Sequence, residues 1–273
     1  MLRMKIARAL IALASLPVTL QAHRQWMLPS STVLSTTDGW ITVDAAVSNE
    51  LFYFDHVPLR LQSLMITGPD GAAVKAENPA TGKYRTTFDV HLTQSGTYKI
   101  ALVNNTVFAT WKDKGDPKTW RGTAEAFKAE VPPNMEELKT SRMSSRVEVF
   151  VTAGKPSTKA IEPTGVGLEL APITHPNDLV VGEAAKFQLL KDGKPAADME
   201  VTLIPGGNRY RDQLNEMKVK TDAEGKFSVT FKTAGMYWIN ATTGAARGGP
   251  GGPMRMPVGD RASYTATIEV LPQ

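Results

Sequence analysis

Short runs in which β-favouring apolar residues alternate with polar ones, cut by turn signals about every 8–12 residues, constrain this chain more than any other feature. In residues 84–93, Phe88, Val90 and Leu92 fall on one face and Asp89, His91 and Thr93 on the other. That period of two belongs to the strand. A chain dominated by it must pair its strands into sheets and bury one face of each. Residues 39–47 alternate in the same way after a turn signal, and residues 61–66 run into Gly68-Pro69-Asp70-Gly71. Ser95-Gly96 opens a further run to Val103, and residues 146–151 close the first half. The predicted fold is all-β, with two tandem antiparallel β-sandwich domains of immunoglobulin-like or transthyretin-like kind.

Residues 23–153 form the first predicted sandwich. Residues 110–142 interrupt its pattern with Trp111, Trp120 and Pro132-Pro133, and short helices are expected at 124–129 and 134–139. So long an excursion from a compact domain is uncommon and often functional. Residues 154–159 are polar and punctuated, as a linker is. Residues 160–273 then supply about six or seven strands, the number expected of one sandwich. Asp192-Gly193 and Asp222-Ala223-Glu224-Gly225 are among their turns. Gly244–Gly259, rich in Gly and Pro, is expected to be a flexible loop.

Residues 1–22 read as a secretory leader. Arg3, Lys5 and Arg8 precede a short apolar run, Pro17 breaks it, and Leu20-Gln21-Ala22 offers a cleavage site before His23. The run is too short to span a bilayer. The leader holds three of the 31 Lys and Arg and none of the 27 Asp and Glu, so the formal charge of +4 falls to +1 on cleavage. That balance argues against a nucleic-acid partner. The chain has no cysteine, which excludes thiolate metal sites and cysteine nucleophiles. An exported protein without disulfides fits a bacterial periplasm, and the processed chain is expected to be soluble there.

Cleavage before His23 would leave a free α-amine and an imidazole on one residue, a pair able to chelate a transition metal. A second imidazole completes a T-shaped set of nitrogens suited to copper, or with added oxygen ligands to nickel or cobalt. Three other histidines are available. His56 lies in an aromatic loop beside Asp55, which could ligate with it or orient it. His175 precedes Pro176 in a turn near the start of the second unit and would make the site interdomain. His91 lies on the polar face of a strand. The bland reading is that His23 merely follows the cleavage site while Trp26 and Leu28 anchor the first strand. Met254 and Met256 offer thioethers to a soft ion, but paired methionines in such a loop are more often incidental. The sequence contains neither an EF-hand spacing nor a Gly-x-Ser-x-Gly or His-Glu-x-x-His motif, so no enzyme is expected.

Several segments together resemble a known family. They are His23-Arg24-Gln25-Trp26-Met27-Leu28-Pro29, the Ser141-Arg142 segment with the strand after it, residues 166–172, Asp192-Gly193-Lys194-Pro195, residues 221–227 and residues 234–238. The chain is similar over most of its processed length to DUF4198, exported bacterial proteins often labelled as nickel-uptake components. The resemblance implies a periplasmic transition-metal-binding protein, with nickel or cobalt favoured, that buffers the ion or delivers it to a membrane metal transporter. The expected ligands are His23, His56, Asp55 and His175. An N-terminal-histidine copper oxidase using residues 111–120 as a substrate surface, and an adhesion module without metal, are the alternatives.

Overall fold

The structure, a computed structural model, describes residues 23–244 and 259–273. The leader, the Met254-Arg255-Met256 segment and most of the Gly/Pro stretch lie outside the described residues. Three sheets carry the described chain, which is all-β apart from the Ala124–Glu130 helix and two short 3₁₀ turns.

The first sheet places strands in the order Arg24–Pro29, Gly39–Ser48, Thr86–Leu92 and Glu77–Thr81. The second is long. Its main strands run in the order Met217–Lys220, Glu200–Pro205, Gly235–Thr242, Arg261–Val270, Glu136–Ala153, Gly96–Asp113 and Leu64–Thr67. The third centres on Ala184–Lys191, flanked by Leu168–Pro172 and Lys226–Thr230. The first sheet covers one end of the long one and buries Ile41, Val43, Phe88, Val90, Ile100 and Val149. The third covers the other end over Leu170, Phe187, Leu203, Phe227, Ile239 and Tyr264. The alternation read in residues 84–93 is therefore a strand with Phe88, Val90 and Leu92 inward and half-buried Asp89 and His91 between them.

The two sandwiches share a sheet. Residues Met143–Val149 pair in parallel with Arg261–Thr267, while the pairings within each half are antiparallel apart from the short contacts of Val33–Leu34 and Val180. No hairpin joins the two strands at the seam, because the second sandwich intervenes between them in sequence. Turn geometry therefore imposes no antiparallel direction there. A small third cluster of Trp26, Ala46, Leu51, Ile204 and Trp238 bridges both units on one side.

The stretch at 110–142 is mostly ladder. Gly96–Asp113 and Glu136–Ala153 are both 18-residue strands, paired antiparallel nearly end to end, with Asp116–Gly122 folded back on the first. The helix expected at 124–129 is present, its Thr123 Oγ1 accepting the Ala126 N–H at 3.2 Å. The helix expected at 134–139 is not. Residues from Glu136 onward are extended because they pair with Lys112 and Thr110 across a register shift, and that pairing overrides a local propensity too short to nucleate a helix. The expected linker at 154–159 leads directly into a turn that buries Ala160 and Ile161.

Candidate metal centre

The register of the first sheet brings His23 and His56 to the same place. Gly39–Ser48 is central, with Arg24–Pro29 on one side, where Arg24 faces Ser48 and Gln25 faces Val47. On the other side Val57–Pro58 returns to pair with Val47 and Ala46. His23 precedes the first of these segments and His56 the second. Both side chains thus lie at the end of one central strand, on opposite flanks. Their imidazole rings stack with centroids 3.7 Å apart and planes within 5°. Both residues are part-exposed, so an ion can reach them from solvent.

The loop between Ser48 and Val57 is held from several sides. The Asp55 carboxylate accepts the backbone N–H groups of Asn49 at 2.9 Å and Glu50 at 3.3 Å, closing the loop on itself. Trp26 is fully buried and donates its Nε1–H to Ser48 Oγ at 2.7 Å, while Phe52 and Phe54 pack on its ring at 5.5 Å. Arg24 donates to the Asn49 carbonyl at 2.9 Å. The second unit adds further contacts. Leu51 N–H donates to buried Asn208 Oδ1 at 2.9 Å, and Trp238 Nε1–H donates to the Gln25 carbonyl at 2.9 Å. The Arg209 guanidinium lies 3.8 Å over the Tyr53 ring and 3.5 Å from Glu50.

The chemistry of this pair is specific. Imidazole lone pairs lie in the ring plane, and metal–nitrogen bonds are about 2.0–2.1 Å long. Two parallel rings cannot both aim at one ion, so joint coordination requires one ring to turn out of the stack. Among the described residues no group of three or more His, Asp or Glu side chains is gathered as a metal site. A third donor would then be the His23 α-amine of a processed chain, and His23 and His56 fit that set. Asp55 is adjacent in sequence, and both its carboxylate oxygens accept loop amides, of Asn49 and Glu50, so in this arrangement it holds the His56 loop in place.

The other two histidines are engaged elsewhere. His175 Nδ1 accepts the Asn177 N–H at 3.2 Å, so Nε2 carries the proton and faces Thr97 Oγ1 at 2.9 Å and the Ser157 carbonyl at 3.3 Å. Burial holds this imidazole below its ordinary range, against the opposing pulls of the Ser157 carbonyl and Asp178. With both nitrogens used, His175 ties the second unit to the start of Gly96–Asp113, and the structure does not gather it with the His23–His56 pair. His91 lies 2.6 Å from Asp38 and stacks on Trp40 at 4.2 Å.

One polar cluster escaped the sequence reading. Arg146, Glu148 and Glu169 are buried at the seam, with Arg146 Nη2 at 2.9 Å from Glu169 and Nη1 at 3.6 Å from Glu148. Tyr264 donates its hydroxyl to Glu148 at 2.6 Å. Burial pushes the Glu148 carboxyl up despite Arg146, whereas hydrogen bonds from Thr164 and Gly165, with Arg146, outweigh burial and hold Glu169 down. The signal was present in Arg146 and Glu148, two residues apart on one face of a strand, with Val147 between them and Val149-Phe150 following.

Among solved structures the chain is similar to the D0-D1 domain of intimin, at 12% identity over 89% of this chain and 96% of that one, with a TM-score of 0.22. It is similar to the human OSCAR ligand-binding domain at 10% identity over 90% and 98%, with a TM-score of 0.19. Scores this low say nothing about what the chain does. No curated protein matches it. A family model described as a domain of unknown function, DUF4198, matches residues 20–245. That span takes in the stacked histidines, the first sandwich and most of the second, stopping short of the final strand Arg261–Val270, and the chain belongs to the DUF4198 family.

Proposed function

We propose that this protein is a periplasmic carrier or buffer for a transition metal ion, nickel or cobalt in preference, which it passes to a membrane metal transporter. The observation that supports the reading is the stacking of His23 on His56 at 3.7 Å, two imidazoles 33 positions apart in sequence. In a chain beginning at His23, the α-amine and the two imidazoles offer three nitrogens on one part-exposed surface. Two neutral imidazoles and an amine bind divalent ions of this series without the charge of a carboxylate cage. Release requires only that one ring turn back into the stack, which suits a carrier better than a permanent structural site. Asp55 keeps the His56 loop closed, and Asn208 and Arg209 brace it from the second unit.

Calorimetric titration of Ni²⁺, Co²⁺, Cu²⁺ and Zn²⁺ into protein starting at His23 tests this reading. Tight binding that disappears in both His23→Ala and His56→Ala supports it. Binding that survives His56→Ala unchanged removes the two-imidazole site. In the Trp111–Trp120 stretch that the oxidase alternative would use, Trp120 donates its Nε1–H to Glu130 at 2.9 Å and packs on the Phe127 ring.

A further inference from the structure

Near the seam the long sheet presents two aligned rows of side chains. Strand register places Thr242, Ser263, Ser145 and Asn104 side by side on four successive strands. Two residues along, Arg261, Met143 and Thr106 form a second row on the same face. Arg121 joins them from the folded-back Asp116–Gly122 strand, its guanidinium 5.3 Å over the Phe108 ring. Together these residues line a cleft of about 370 Å³. A neighbouring hollow of about 380 Å³ shares Asn104, Thr106 and Arg121 and extends the cleft to Ser63.

The lining is unbalanced in charge. It contains two guanidiniums and no Asp or Glu. Neither Arg121 nor Arg261 belongs to any of the ion pairs found among the described residues. The segments outside the described residues contain no acidic residue that could neutralise them. Ser63 donates its hydroxyl to Asn104 Oδ1 at 2.9 Å, so Asn104 keeps its amide N–H groups for a ligand. Adjacent strands are about 4.8 Å apart, and the first row therefore offers evenly spaced hydroxyl and amide groups beside two planar cations. Arginine forks match phosphate and carboxylate, while hydroxyl and amide groups match sugar hydroxyls.

We propose that this cleft binds an anionic carbohydrate, a saccharide bearing a phosphate or carboxylate group. The anion sits between Arg121 and Arg261, and the sugar hydroxyls meet Asn104, Ser145, Ser263 and Thr242. This site is separate from the histidine pair and does not depend on metal.

The test is calorimetry on the full processed protein, with glucose 6-phosphate, glucuronate, glucose and inorganic phosphate as separate probes. At least one of the two anionic sugars should bind, and both glucose and inorganic phosphate should be weaker by roughly tenfold or more. Arg121→Gln and Arg261→Gln should each weaken the anionic sugar by about tenfold, with melting temperatures unchanged, while His23→Ala binds as before. Absence of binding by either anionic sugar at millimolar concentration overturns the proposal. So does equal affinity in folded Arg121→Gln and Arg261→Gln proteins. Inorganic phosphate binding as tightly as the sugar phosphate overturns the assignment to a saccharide.

Discussion

Replacing Arg146 with methionine should destabilise the protein by roughly 3–5 kcal/mol, the cost of removing one partner from a buried ion cluster. Its guanidinium is 6% exposed, and the Glu148 and Glu169 side chains it faces are each 3% exposed. The two carboxylates are not equally provided for. Glu169 keeps backbone N–H groups from Thr164, Gly165 and Val166. Glu148 keeps only the Tyr264 hydroxyl, and its second oxygen makes no hydrogen bond. Most of the loss should therefore fall on Glu148. Urea denaturation followed by tryptophan fluorescence gives the free energy, and the melting temperature should fall by roughly 6–20 °C. The pH dependence is a second check. The folded value of Glu148 is raised above the unfolded one, so its stability contribution is present at low pH and lost as pH rises through the folded value. The deficit of Arg146→Met should shrink as the buffer is acidified from neutrality toward about pH 5. Replacing Arg146, Glu148 and Glu169 together with apolar residues of similar volume should recover much of the loss. A loss below about 1 kcal/mol in Arg146→Met at neutral pH would refute the claim that these charges are desolvated and mutually dependent.

Asn208→Ala should cost about 1–3 kcal/mol by leaving the Leu51 N–H without its buried acceptor, and hydrogen exchange at Leu51 should quicken more than exchange in either core. The same variant should weaken metal binding without touching a ligand. His175→Gln removes a titrating group whose folded value is depressed by burial. In the wild type that group's stabilisation is present above the unfolded value and lost as pH falls through the folded one. The drop in melting temperature between about pH 7.5 and about pH 5 should accordingly be smaller in the variant; an identical drop would show that His175 is not held neutral.

The period-two pattern carried much of the fold, and the reason is local. Phe88, Val90 and Leu92 face a core, and a strand buried on one side writes that fact into its own residues. The pattern fails where burial stops. Beyond Val103 the same strand continues through exposed Asn104 and Asn105 to Asp113, held by its ladder with Glu136–Ala153, and only Val107 and Ala109 are buried there, too short an alternation to announce a strand of this length. The parallel seam was not legible either, since register between strands more than 100 positions apart depends on two completed sandwiches. The site divides in the same way. His23 and His56 stood out as chemistry, but their contact follows from a register shared through Val47, which neither residue encodes. His175 was also a candidate in sequence, and only the network of Thr97, Ser157 and Asn177 shows where its nitrogens are committed.

The central claim is that one ion is held by the His23 amine together with the imidazoles of His23 and His56. The most direct test compares Ni²⁺ affinity, by calorimetry, between a chain beginning at His23 and the same chain extended by a single N-terminal residue, with both imidazoles intact. The account predicts tight one-to-one binding in the first and a fall to the level of His23→Ala in the second. Equal affinity in the two proteins would contradict it, leaving the stacked histidines without the amine that completes their site.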